Sequence, residues 1–108
     1  MAELSHAFAR EVPEHFQRDM GYSEKEFFRV LPAALGSFVY HREGDRLHIL
    51  RPDDSPALEL RIEALPDRRL GAFRIERIAV EFLFSDMSAQ QRSEFMSRFD
   101  RHFQRGGG

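Results

Sequence analysis

Two serines set the frame of this chain. Ser23-Glu24-Lys25-Glu26 and Ser88-Ala89-Gln90-Gln91 both have capping-box spacing. A serine hydroxyl caps the amide three residues on, and the acid or amide side chain there reaches back. Each box therefore predicts a helix start. Behind Ser23, Tyr22 and Phe27 stand at the two positions of a hydrophobic staple, and Phe27, Phe28, Val30, Leu31, Ala34 and Leu35 supply a buried face. Pro32 should kink or interrupt that helix near Leu31, and Gly36 should stop it. Behind Ser88, Phe95, Met96, Phe99 and Phe103 form an apolar stripe on a helix running to about Arg105.

Between the two boxes the hydrophobic period falls to two. Residues 38–41 and 47–50 flank Glu43-Gly44-Asp45 and read as a hairpin. Residues 52–56 read as a loop. Leu58, Leu60 and Ile62 alternate with Glu59, Arg61 and Glu63, as in a half-buried strand. Pro66-Asp67-Arg68-Arg69 reads as a turn. In the apolar stretch Leu70 to Phe84, Phe73 and Ile75 are out of phase with Ile78, Val80, Phe82 and Phe84. That predicts a bulge or bend near Glu76-Arg77.

The N-terminal segment carries Leu4, Phe8, Val12, Phe16 and Met20 at intervals of four. The spacing predicts a frayed segment followed by a short helix from Pro13 to about Met20, with residues 1–22 only partly ordered. The expected fold is α+β: one domain over 1–108, with a four-stranded antiparallel meander and the N-terminal helical region and C-terminal helix on one face. Residues 106–108 form a glycine tail. With 7–12 as a strand instead, the order becomes β-α-β4-α. That order resembles the TATA-box-binding-protein-like fold, in element order alone, and fold does not carry function.

Composition excludes several classes. With no cysteine, disulfides, cysteine-based zinc sites and thiol catalysis are ruled out. No signal peptide is evident, and no uncharged apolar stretch suffices to span a bilayer, so a cytoplasmic protein without membrane attachment is expected. Lys25 is the only lysine among 16 basic residues, as in chains from GC-rich bacterial genomes. A net charge of −2 and a pI near 6.2 argue against a general nucleic-acid binder. Phosphate-binding glycine loops, dinucleotide fingerprints and metalloprotease motifs are absent, and no cofactor is expected.

A few residues remain as site candidates. If the hairpin turns on Gly44-Asp45, His41 faces His48 and the pair supplies two metal ligands, one short of the usual minimum for zinc. On the last helix, Arg98, Arg101 and Arg105 project along one flank, suited to an anion or an acidic partner. Arg92 projects into the apolar stripe and needs a partner, in the protein or in a ligand's acidic head group. Asp53-Asp54 read as turn chemistry. The 11 phenylalanines divide among core, a self-association surface and a ligand pocket. The tetrapeptide HFQR occurs at 15–18 and 102–105, and both copies read as helix ends. The leading expectation is a non-catalytic module that binds a protein partner or a second copy. The alternatives are a binder of small hydrophobic or acidic ligands, and an anion- or metal-binding protein or enzyme.

Overall fold

A computed structural model describes residues 11–104. The elements are β1 (His15–Met20), α1 (Glu24–Leu35), β2 (Val39–Glu43), β3 (Arg46–Leu50), β4 (Pro56–Leu70), β5 (Phe73–Phe84) and α2 (Ala89–Phe103). The five strands form one antiparallel sheet in the order β1-β5-β4-β3-β2. Both helices lie on the same face. Phe82 and Phe84 of β5 meet Phe99 and Phe95 of α2 edge to face, and Phe28 of α1 lies 6.1 Å from Tyr40 of β2.

The two serines act as the spacing predicts. Ser23 Oγ accepts from the Glu26 amide at 3.1 Å, and Tyr22 and Phe27 are both buried. At Ser88 both halves of the box are present: Ser88 Oγ accepts from the Gln91 amide, and Gln91 Oε1 accepts from the Ser88 amide. Helix α1 runs through Pro32 to Leu35 rather than breaking at Leu31. Pro32 is exposed, and its carbonyl still accepts from the Gly36 amide. Gly36 then ends the helix at φ 65°, ψ −119°, a conformation open in practice only to glycine.

Three expectations need correction. The sheet has five strands, because residues 15–20 are a strand paired with β5 and not a helix. An interval of four fits a helix and also every second residue along one face of a strand, so Phe16 and Met20 alone could not decide. Phe16, Arg18 and Met20 form the half-buried face of β1, and Phe16 stacks on Phe82 at 4.8 Å. The element order is thus β-α-β4-α, with the first strand at 15–20; residues 7–10 of the strand considered above lie outside the described residues.

The second correction concerns Pro66–Arg69, which does not turn. Strand β4 continues to Leu70, and the chain reverses at Gly71-Ala72, with Gly71 at φ 62°. The third concerns the bulge. Leu65 pairs with Arg77 and Arg68 with Ile75, so the irregularity does fall opposite Glu76, but the extra residue belongs to β4, at Pro66-Asp67. That suits a proline, which lacks a ladder donor. Beyond this point β4 and β5 run on as a two-stranded arm, past the ends of β1 and β3.

The core lies between sheet and helices. Phe27, Leu31, Leu47, Ile49, Leu60, Val80, Phe82, Met96 and Phe99 are fully buried. At roughly 1.5–3 kcal/mol for each large apolar side chain, this layer dominates the stability. The opposite face of the sheet is open and charged: the cross-strand row Glu43–Arg46–Arg61–Glu81 alternates in sign in part.

Candidate functional site

The histidine pair forms as the two-residue turn requires. Gly44 takes φ 66°, and His41 and His48 are direct partners across β2 and β3. Both stand on the open face. His48 Nε2 lies 3.0 Å from Glu43 Oε1, and His41 is exposed. Among the described residues no three His, Asp or Glu side chains cluster to hold a metal ion. A third ligand is missing, and the pair lies on an open surface.

The arginines of α2 separate into different roles. Arg92 is buried; its Nε and Nη1 donate to the carbonyls of Val12 and Met87 at 2.7 and 2.8 Å. The exposed carboxylates of Glu11 and Glu14 stand 3.9 and 3.8 Å away. Arg92 therefore ties the segment before β1 to the turn before α2, and it lines none of the clefts described below. Arg98 crosses to α1, where Nη2 donates to the Ala33 carbonyl at 3.3 Å. Arg101 is exposed and makes no hydrogen bond or ion pair among the described residues. Arg105 lies outside the described residues. Arg98 and Arg101 thus make no joint set of contacts. Asp53 accepts from both the hydroxyl and the amide of Ser55, and these bonds hold its carboxyl below the usual range. This is turn chemistry.

The phenylalanines are mostly core. Phe27, Phe103, Phe99 and Phe95 form a chain of ring contacts with centroids 4.5–6.1 Å apart. Phe73 is the exception. It is 75% exposed, beside its cross-strand partner Leu70 at 53%. The only other exposed large hydrophobic among the described residues is Val39 on edge strand β2, at 49%. Leu70 and Phe73 close the tip of the arm, and Arg68, Arg69 and Arg74 stand just behind. Arg74 pairs with Asp67 at 2.9 Å; Arg68 and Arg69 have no ion pair or hydrogen bond among the described residues. Reading Pro66–Arg69 as the turn hid this arm, although Leu70-Gly71-Ala72-Phe73 does hold a glycine between two apolar residues.

Two clefts flank the end of α1. One, of about 390 Å³, is lined by Pro32, Leu35, Phe38, Val39 and Tyr40. The larger, of about 740 Å³, has Leu35, Phe38, Met87 and Phe95 as apolar walls and Arg51, Arg98 and Glu94 among its polar groups. Apolar walls with a few convergent polar groups are the usual make-up of ligand sites.

Among the described residues, no helix is long and apolar enough to cross a membrane. Comparison of the chain with protein-family models, with curated proteins and with solved structures finds no match.

Proposed function

We propose that this protein is a non-catalytic interaction module, that its docking element is the β4–β5 arm, and that the arm docks on a second copy of the chain. The observation that carries this reading is the paired exposure of Leu70 and Phe73 at the arm's tip. An exposed phenylalanine beside a second apolar side chain, with arginines around them, matches the enrichment of aromatics and arginine at protein interfaces.

Charge argues for the occupant. Residues 66–77 hold four arginines against Asp67 and Glu76, a local charge of +2, while the whole chain is −2. The rest of the chain is therefore −4. Two arms laid side by side would repel, whereas an arm laid on the acidic body of another copy is attracted. That body also offers the apolar groove beside Val39, the other place where a large hydrophobic is exposed. A reciprocal arm-to-body contact is closed and two-fold, the commonest symmetry of homo-oligomers.

Sedimentation equilibrium over a concentration series tests the reading. The expected result is a reversible dimer of the 12.7 kDa chain that weakens as salt rises, since part of the attraction is between exposed charges. A single monomeric species up to millimolar concentration overturns it.

A further inference from the structure

Seven of the described arginines have a carboxylate within 4 Å: Arg18 with Asp100, Arg42 with Glu24, Arg46 and Arg61 with Glu59, Arg74 with Asp67, Arg77 with Asp19, and Arg92 with Glu11 and Glu14. Two of the exceptions, Arg51 and Arg98, line the same 740 Å³ cleft. Both are oriented by neutral oxygens. Arg51 donates to the carbonyls of Pro56 and Asp86 and to Ser55 Oγ. Arg98 donates to the Ala33 carbonyl and fits because residue 36 is glycine: a Cβ there would lie 2.7 Å from Arg98 Nε. Arg51 feels Asp53 at longer range, whereas Arg98 has no carboxylate partner among the described residues. Such a group is prepared for an anion.

The anion's class follows from the rest of the lining. Glu94 shares the cleft and cancels one of the two positive charges, leaving room for a single negative one. The apolar walls include Phe38 stacked on Phe95 at 5.7 Å, with the buried side chains of Leu35 and Met87. A highly hydrated polyanion gains nothing from these walls. We infer that the cleft between the C-terminus of α1 and α2 binds an amphipathic monocarboxylate, its apolar body against Phe38 and Phe95 and its carboxylate on Arg98 and Arg51. The volume lies within the range of about 300–1,000 Å³ usual for small-ligand sites. The cleft lies away from the arm but shares Leu35, Gly36 and Phe38 with the groove proposed to receive it; ligand shifts at Gln91 and Phe95 and the sedimenting mass are read separately, so failure of one reading is distinguishable from failure of the other.

The test is titration of the isotope-labelled protein with decanoate, below its micelle concentration, followed by amide chemical shifts. Saturable shifts at Ser37, Phe38, Gln91 and Phe95 are expected, with methyl decanoate and inorganic phosphate binding at least tenfold more weakly. Arg98→Gln should weaken decanoate binding roughly tenfold or more, the scale of one charge-assisted hydrogen bond. Because Arg98 and Glu94 are both exposed, an unchanged amide spectrum elsewhere confirms that the variants fold. Glu94→Gln should act in the opposite direction and tighten binding several-fold. Absence of saturable shifts overturns the inference. So does equal binding of the methyl ester, or an Arg98→Gln variant that binds decanoate as well as the parent.

Discussion

Tyr22 donates its hydroxyl hydrogen to the carbonyl oxygen of Phe103 at 2.5 Å, and the two rings meet edge to face at 5.2 Å. The bond spans 81 positions of sequence and fastens the last turn of α2 to the β1–α1 connection. A terminal helical carbonyl has no partner in its own helix. Tyr22→Phe keeps the ring and removes the donor, leaving that carbonyl short of a bond in a buried place. The expected loss is about 1–2 kcal/mol of unfolding free energy. Urea denaturation followed by circular dichroism measures it.

Arg92 is the interior counterpart. Replacing it with methionine keeps most of the volume but strands the carbonyls of Val12 and Met87. The expected cost is about 2–4 kcal/mol, with Arg101→Met, which removes no such contact, staying within about 0.5 kcal/mol. The shift in urea midpoint between the two variants is the readout. Equal effects would show that Arg92 is not a structural tie.

Gly36 and Gly71 both take positive φ, but only Gly36 has a side chain over it. Gly71→Ala meets open space and should cost about 1 kcal/mol from backbone strain alone. Gly36→Ala combines a ψ of −119° with contact on Arg98 and should cost about 2–3 kcal/mol. Thermal unfolding of the two variants measures the difference, at about 4–8 °C per kcal/mol for a domain of this size.

Much of this fold is legible in local chemistry. Ser23 and Ser88 announce the two helices, and Gly44-Asp45 sets the register that brings His41 to His48. What local chemistry does not reveal is pairing at a distance. The tetrapeptide HFQR shows why. At 15–18 it lies in a strand beside β5, while at 102–104 it closes a helix, and Arg105 falls outside the described residues. Reading both copies as helix ends fails for the first, because residues 15–18 pair with β5 and Phe16 stacks on Phe82. The same limit applies to sites. Arg92, standing in an apolar stripe, plainly needed a partner, but that the partners are the carbonyls of Val12 and Met87 follows only from the fold. The cleft of Arg51 and Arg98 joins residues 47 positions apart and left no mark in the sequence.

Phe99 and Phe73 make the contrast on which the arm depends. Phe99 is fully buried among Phe82, Phe95 and Phe103, and Phe99→Ala should cost about 3–5 kcal/mol. Phe73 is the same residue type at 75% exposure, and Phe73→Ala should change stability by less than about 0.5 kcal/mol. Chemical denaturation at concentrations low enough to keep the chain monomeric is the measurement. A large loss at Phe73 would mean that it is part of the folded core and not a docking group.

The most direct test of self-association through the arm is sedimentation equilibrium of the parent chain beside a Leu70→Ser, Phe73→Ser double variant, at matched concentration and salt. The parent is predicted to show a concentration-dependent mass above 12.7 kDa, and the variant, equally stable, to remain at that monomer mass. A variant that associates as strongly as its parent, or a parent that stays monomeric, would contradict the assignment of Leu70 and Phe73 as the docking tip.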